Sequence, residues 1–200
     1  KLARQKVTVS LSGDGGDELF CGYRRYETTQ RLWGKISKIP TSIRHIIKTC
    51  VEVVPDNLLQ YLNLFTKTDL AYKISTGARL LPSSNVNQLY SKLSTEWQTD
   101  EKLVLGSNNI REITFNNTLN LSAVEHMMAC DSTSYLPDDL LCKVDRAAMG
   151  VSLETRVPFL DHNVVEFAWT LPIDYKYHAN KTKWPLRKIL SKYVNIFTFS

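Results

Sequence analysis

The feature that restricts this chain most is the run Ser12-Gly13-Asp14-Gly15-Gly16-Asp17-Glu18, which packs three glycines and three acids into seven residues. It follows an alternating stretch: residues 6–11 read Lys-Val-Thr-Val-Ser-Leu, so the spacing predicts a strand with Val7, Val9 and Leu11 on one face. From about Glu18 the apolar positions Leu19, Tyr23 and Tyr26 take up helical spacing. Strand, glycine-rich turn and helix in that order form the smallest α/β geometry that holds a phosphate. Glycine permits φ > 0 and close backbone approach, and the helix start offers N–H groups to an anion.

The acids decide what kind of anion. Asp14, Asp17 and Glu18 repel a bare phosphate. A hard cation such as Mg²⁺, shared between one or two carboxylates and phosphate oxygens, removes the conflict, so the loop reads as a site for a magnesium-bound nucleotide. A surface turn with acidic decoration explains the same residues, and spacing alone leaves both readings open. Other loops are excluded: there is no lysine for a Walker motif, G-x-G-G replaces the Rossmann G-x-G-x-x-G, and the acids are misplaced for an EF-hand.

The remainder reads as helices. Ile43, Ile46, Ile47, Cys50, Val51 and Val54 form an amphipathic stripe begun by Pro40-Thr41-Ser42. Weaker helical patterns cover 70–80 and 86–97, and 99–118 reads as a loop. A helix over 119–134 turns Val124, Met127 and Met128 inward and ends at Tyr135-Leu136-Pro137. Another runs from Asp138 to about Gly150. Asp161 suits the N-cap of a helix with Val164, Val165 and Ala168 inward, closed by Pro172, and Pro185 fits the first turn of a last helix reaching about Val194. One strand against so many helices predicts an α/β chain with an incomplete sheet, the rest of it lying outside these residues.

Two further clusters carry charge. Asp139, Lys143 and Arg146 share one side of a helix flanked by Leu140, Val144 and Ala147. Two cations there suit the charge of a transferring phosphoryl group, whereas a surface pair of Asp139 with Lys143 is the simpler reading. Glu154 and Arg156 read as a structural pair.

Composition adds exclusions. A net charge of +5 without a basic stripe interleaved with aromatics gives no case for nucleic acid, and no apolar run spans a bilayer. Lys176, Lys181, Lys183, Arg187, Lys188 and Lys192 read as a solvated helix face with one or two ligand-facing cations. Cys21, Cys50, Cys130 and Cys142 are scattered, as in a reduced, cytoplasmic protein, and the four histidines form no metal motif.

Taken together, these segments resemble the synthetase region of glutamine-hydrolysing asparagine synthetases. Residues 12–20 are similar to the family's second nucleotide-site motif. Tyr135-Leu136-Pro137-Asp138-Asp139, Lys143-Val144-Asp145-Arg146 and the run from Ser152 to Asp161 are similar to its C-terminal signature. Lys183 and Leu186-Arg187 look like its basic helix start. The resemblance implies an N-type ATP pyrophosphatase-like (adenine nucleotide alpha hydrolase-like) fold over 1–200. It implies a ligase that uses ATP and Mg²⁺ to convert aspartate to asparagine through β-aspartyl-AMP. The ammonia would come from glutamine, cleaved in a glutaminase domain of the full chain, and a homodimer is compatible with the family pattern.

By position, the resemblance implies that Ser12 and Gly13 meet the AMP part, with Gly15 and Gly16 in the same nucleotide-binding loop. Asp17 would bind Mg²⁺, Asp14 would assist ammonia attack, and Arg146 would stabilise the α-phosphate, with Lys143 as its substitute. There are departures. Cys21 stands where the family commonly has glycine, and the phosphate loop Ser-Gly-Gly-x-Asp-Ser is expected upstream of Lys1 together with the glutaminase domain. The expectation is a fragment inactive on its own. A β-lactam-synthetase-like enzyme, a polysaccharide-modifying amidotransferase or a non-catalytic remnant would share the same motifs.

Overall fold

The computed structural model describes residues 1–55, 58, 61, 69–95 and 120–194. The chain divides into two compact units, one of Lys1–Tyr26 with Ile113–Ser200 and one of Glu27–Glu112.

The first unit opens with a 3-10 turn, Ala3–Gln5, and strand β1, Val9–Leu11. The strand is half the predicted length. It pairs in parallel with a second strand, β2, Glu154–Arg156, setting Val9 opposite Glu154, Ser10 opposite Thr155 and Leu11 opposite Arg156. The amide of Ser12 donates to Arg156 O at 2.8 Å and that of Glu154 to Thr8 O at 2.9 Å, extending the ladder at both ends. β2 has no local signal, because three residues with charged ends carry no apolar alternation. Val7, Val9 and Leu11, expected to face a core, are exposed among the described residues. Parallel sheets normally bury both faces.

Helix α1 is a single turn, Gly16–Leu19. The predicted helix does not continue through Tyr26, because Cys21 adopts a left-handed φ of 54° and breaks it, and α2 restarts at Arg24–Ile36. In the second unit follow α3 (Thr41–Val53), α4 (Leu70–Leu80) and α5 (Val86–Ser94), with Ile36, Leu80 and Leu89 as core. Helix α3 forms where the amphipathic stripe predicts it, but the stripe is not the face it buries. Ile43, Ile46, Ile47 and Cys50 are exposed, and the helix docks through buried Arg44. That guanidinium donates to Ser83 O at 2.5 Å and Leu81 O at 3.4 Å, carbonyls just past the end of α4, where a cation meets the negative end of the helix dipole. The predicted loop over 99–118 lies outside the described residues.

The chain returns to the first unit at α6, Ala123–Thr133, which starts with a capping box between Ser122 and Glu125 and buries Val124, Met127 and Met128. Pro137 ends α6 as expected but does not stop the winding: a π-helical segment, Leu136–Leu141, runs into α7, Cys142–Met149. After β2 come a 3-10 turn, Pro158–Leu160, and α8, His162–Thr170, capped by Asp161, whose Oδ1 accepts from the Asn163 amide at 2.9 Å. The short α9, Ile173–Lys176, precedes α10, Trp184–Leu190, which stops before the predicted Val194. Leu19, Phe20 and Ala168 form the core, packed by Phe159, Val165, Trp169, Leu171 and Leu186. Burying Leu19 and Phe20 stabilises this unit by about 2 kcal/mol each.

Candidate functional site

The acidic loop is built from its own short-range chemistry. Ser12 Oγ donates to Asp14 Oδ2 at 2.5 Å, closing the turn after β1. Gly15 takes φ 80°, and a Cβ there would lie 2.6 Å from Leu160 Cδ2, so only glycine fits. The following helix is one turn long, which limits its dipole, so ion chemistry at this loop rests on side chains.

Asp17 faces a cation. Its Oδ2 lies 2.8 Å from Lys183 Nζ, with both side chains about one-third exposed, at 34% and 31%. Lys183 sits in the left-handed region at φ 53° as the N-cap of α10, and its amide donates to Phe20 O at 3.2 Å. A lysine held in that conformation is the kind of local strain that collects at working sites. Gly22 lies beneath the pair: a Cβ there would fall 2.7 Å from Asp17 Cα.

A polar network joins this loop to the next recognised segment. Tyr23 donates to Glu18 Oε1 at 2.7 Å. Arg25 lies 4.3 Å from the Tyr23 ring centroid and 4.6 Å from that of Tyr135, and its Nη2 meets Asp131 Oδ2 at 2.7 Å. Tyr26 donates to the same oxygen at 2.6 Å. Glu18 is 1% exposed, and its Oε2 has no hydrogen-bond partner among the described residues. Burial pushes the Glu18 carboxyl up, against the opposing pull of the Tyr23 hydrogen bond, and burial likewise pushes the Tyr23 hydroxyl up.

The motifs singled out in the sequence therefore meet at one loop. β2 continues the ladder into Ser12, Leu160 closes over Gly15, Tyr135 reaches Arg25, and Lys183 reaches Asp17. Lys143 and Arg146 are different. Lys143 is 71% exposed and pairs with Asp139 at 2.6 Å, the surface i,i+4 pair, and Arg146 is also exposed. The cation on Asp17 is Lys183 rather than either of them. Ala147, expected on the buried side, is exposed, whereas Val144 is half-buried. Glu154 and Arg156 pair at 2.6 Å on β2.

The basic cluster near the end does not form one solvated face. Lys176 is 1% exposed, with Nζ 5.0 Å from the Trp169 ring centroid; burial pulls its pKa down while Glu125 and Cys21 push it back. Lys181 and Lys188 lie over Trp184. Arg25 and Asp131 carried no sequence signal beyond residue type, and Lys176 was visible as a member of the basic cluster but not as a buried residue. Lys183 carried a signal as part of the basic helix start. Among the described residues no group of three or more His, Cys, Asp or Glu is placed to hold a metal alone. Asp17 can serve as a single carboxylate ligand of a cation that brings oxygen ligands with it.

These features define a mostly helical α/β protein with a small parallel sheet whose strand feeds a glycine-rich acidic loop closed by a distant lysine. The asparagine synthase family profile matches residues 1–195, and the chain belongs to that family. It is 30% identical over 190 residues to asparagine synthetase (glutamine-hydrolyzing) 1 of Bacillus subtilis, covering 94% of this chain and 28% of that protein. It is 28% identical over 196 residues to a putative asparagine synthetase (glutamine-hydrolyzing) of Mycobacterium bovis, covering 96% of this chain and 28% of that protein. It is also 28% identical over 187 residues to asparagine synthetase (glutamine-hydrolyzing) 3 of Bacillus subtilis, covering 94% of this chain and 24% of that protein. The chain thus spans about a quarter of the length of these relatives. No solved structure matches it. No helix among the described residues is long and apolar enough to cross a membrane.

Proposed function

We propose that this chain is part of the ATP-cleaving, amide-forming region of a glutamine-dependent asparagine synthetase with an N-type ATP pyrophosphatase-like fold. The observation that carries the reading is the Asp17–Lys183 pair at the mouth of the glycine loop. A carboxylate and an ammonium side by side, both partly open to solvent, suit a polyanion that arrives with its own divalent cation. Gly13 leaves the loop backbone open on one side, since a Cβ there would meet nothing within 4 Å.

In this reading Ser12, Gly13, Gly15 and Gly16 line the nucleotide. The residues fit Mg²⁺: Asp17 supplies one oxygen and the phosphates the others, and the ion would neutralise phosphate charge when bound. The substrate carboxylate attacks the α-phosphate of ATP, pyrophosphate leaves, and ammonia then displaces AMP from the acyl-adenylate. Lys183 is placed to offset charge on the phosphates, a role the exposed Lys143 and Arg146 would take only if nucleotide binding drew them in. Asp14, held by Ser12, is the candidate to assist ammonia attack. The partners are aspartate and ammonia supplied by a glutaminase domain of the full chain, in a reducing cytoplasm that suits four free cysteines.

The test is pyrophosphate release by the full-length protein with ATP, Mg²⁺, glutamine and a panel of amino acids. Release that depends on aspartate, with asparagine as product, supports the reading. Release with another carboxylate alone reassigns the substrate, and none with any overturns it. The 200 residues alone should release none.

A further inference from the structure

The cluster of Tyr23, Arg25 and Tyr135 ties two separate pieces of the proposed site together. Tyr23 is hydrogen-bonded to Glu18, which lies in the single turn that carries Asp17. Tyr135 immediately precedes the π-helical segment that carries Asp139 and runs into the helix of Lys143 and Arg146. The two rings meet edge-on at 6.1 Å, and one guanidinium lies against both of them, 4.3 and 4.6 Å from their centroids. Asp131, with only 3% of its side chain exposed, fixes the guanidinium from α6, the helix that leads into Tyr135.

We infer that Arg25 is a positioning residue that couples the acidic loop to the Leu136–Met149 segment, so that both adopt their nucleotide-binding arrangement together. The inference rests on the ligase reading for its catalytic consequence and on geometry alone for the coupling. A flat cation set against two aromatic rings and a buried carboxylate resists displacement in a way a point charge does not. π-helical turns recur where a helix must adjust at a working site. A shift of Tyr135 is therefore felt at Glu18 and Asp17, and the reverse holds equally.

The experiment uses the full-length protein and Arg25→Lys, which keeps a charge for Asp131 and removes the flat group that touches both rings. Hydrogen exchange is followed by mass spectrometry without nucleotide, and steady-state kinetics are measured with it. Exchange should quicken about fivefold in both 13–20 and 136–146 while α8 is unchanged, and KM for Mg·ATP should rise about tenfold with kcat nearly unchanged. Tyr135→Leu is read in the same way should Arg25→Lys fail to fold. Quickened exchange in one segment only, or in neither, overturns the coupling; an unchanged KM for Mg·ATP overturns its role in binding. If the wild-type protein releases no pyrophosphate with any amino acid, the ligase reading fails, and exchange alone decides the coupling.

Discussion

Asp17 and Lys183 lie far apart in sequence, yet their side chains meet at 2.8 Å, and the Lys183 amide is held by the carbonyl of Phe20 in the same loop. The pair is too exposed to add much stability, about 1 kcal/mol or less. Its value is placement. Lys183→Gln should lower the rate of pyrophosphate release about 100-fold, as when one preorganised charge-stabilising group is removed, with little change in melting temperature. Asp17→Asn should chiefly raise the Mg²⁺ concentration needed for half-maximal rate. A Lys183→Gln enzyme within threefold of wild type would remove this lysine from the proposed chemistry.

Gly22 supports that pair from below. A Cβ at this position collides with the Asp17 backbone, which cannot swing away as a flexible side-chain tip would. Gly22→Ala should therefore cost about 2 kcal/mol or more and displace Asp17. Gly34, inside α2 with nothing within 4 Å of a built Cβ, is the natural comparison. Gly34→Ala should stabilise by about 0.5–1 kcal/mol, because alanine loses less backbone freedom in a helix. Denaturant titration of both variants reads the contrast directly.

Cys21 holds a left-handed φ of 54° while 5% exposed, at the position where the family resemblance anticipates glycine. Burial pushes its thiol up to about 11, so iodoacetamide at pH ~8 should leave Cys21 unmodified in the native protein and label it once urea is added. Cys21→Gly should change stability by no more than about 1 kcal/mol, since relief of the backbone offsets the lost side chain. Cys21→Val should cost about 2–3 kcal/mol, because a β-branched residue tolerates that φ poorly. Equal losses for the two variants would show that packing, not backbone, decides this position.

How much of this was legible beforehand follows from where each signal resides. The strand, the acidic turn, the Asp161 cap and Pro185 in the first turn of the last helix are local: a few adjacent residues determine them, and the structure has them. Most of the differences are long-range. The apolar stripe of α3 predicts a helix, which forms, but which face of a helix is covered depends on its neighbours, and here Arg44 reaches carbonyls beyond α4. β2 was missed because pairing with β1 rather than its own pattern makes it a strand. The helix expected through Tyr26 broke at Cys21, where only a departure from the family pattern hinted at strain. The Asp17–Lys183 contact and the Arg25 cluster join residues no periodicity connects, so sequence could name their members but not their meeting.

Glu18 offers a pH test with a definite sign. It is 1% exposed, one carboxylate oxygen accepts from Tyr23 at 2.7 Å, and the other has no partner among the described residues. Burial is the largest influence and raises its pKa above the ordinary carboxylate value, helped by the nearby Asp17 and Asp131 and opposed by the Tyr23 hydrogen bond. The folded state therefore binds this proton more tightly than the unfolded chain does. The resulting stability is complete below the ordinary carboxylate pKa and is lost as pH rises through the folded value, with a slope no steeper than about 1.4 kcal/mol per pH unit. Glu18→Gln keeps an acceptor for Tyr23 and cannot ionise. Melting followed from pH ~4 to ~8 should show wild type losing stability relative to Glu18→Gln as the carboxyl ionises. Parallel curves would mean that burial and the Tyr23 hydrogen bond cancel, and a wild type that gains on the variant with rising pH would mean that the fold favours the charged carboxylate.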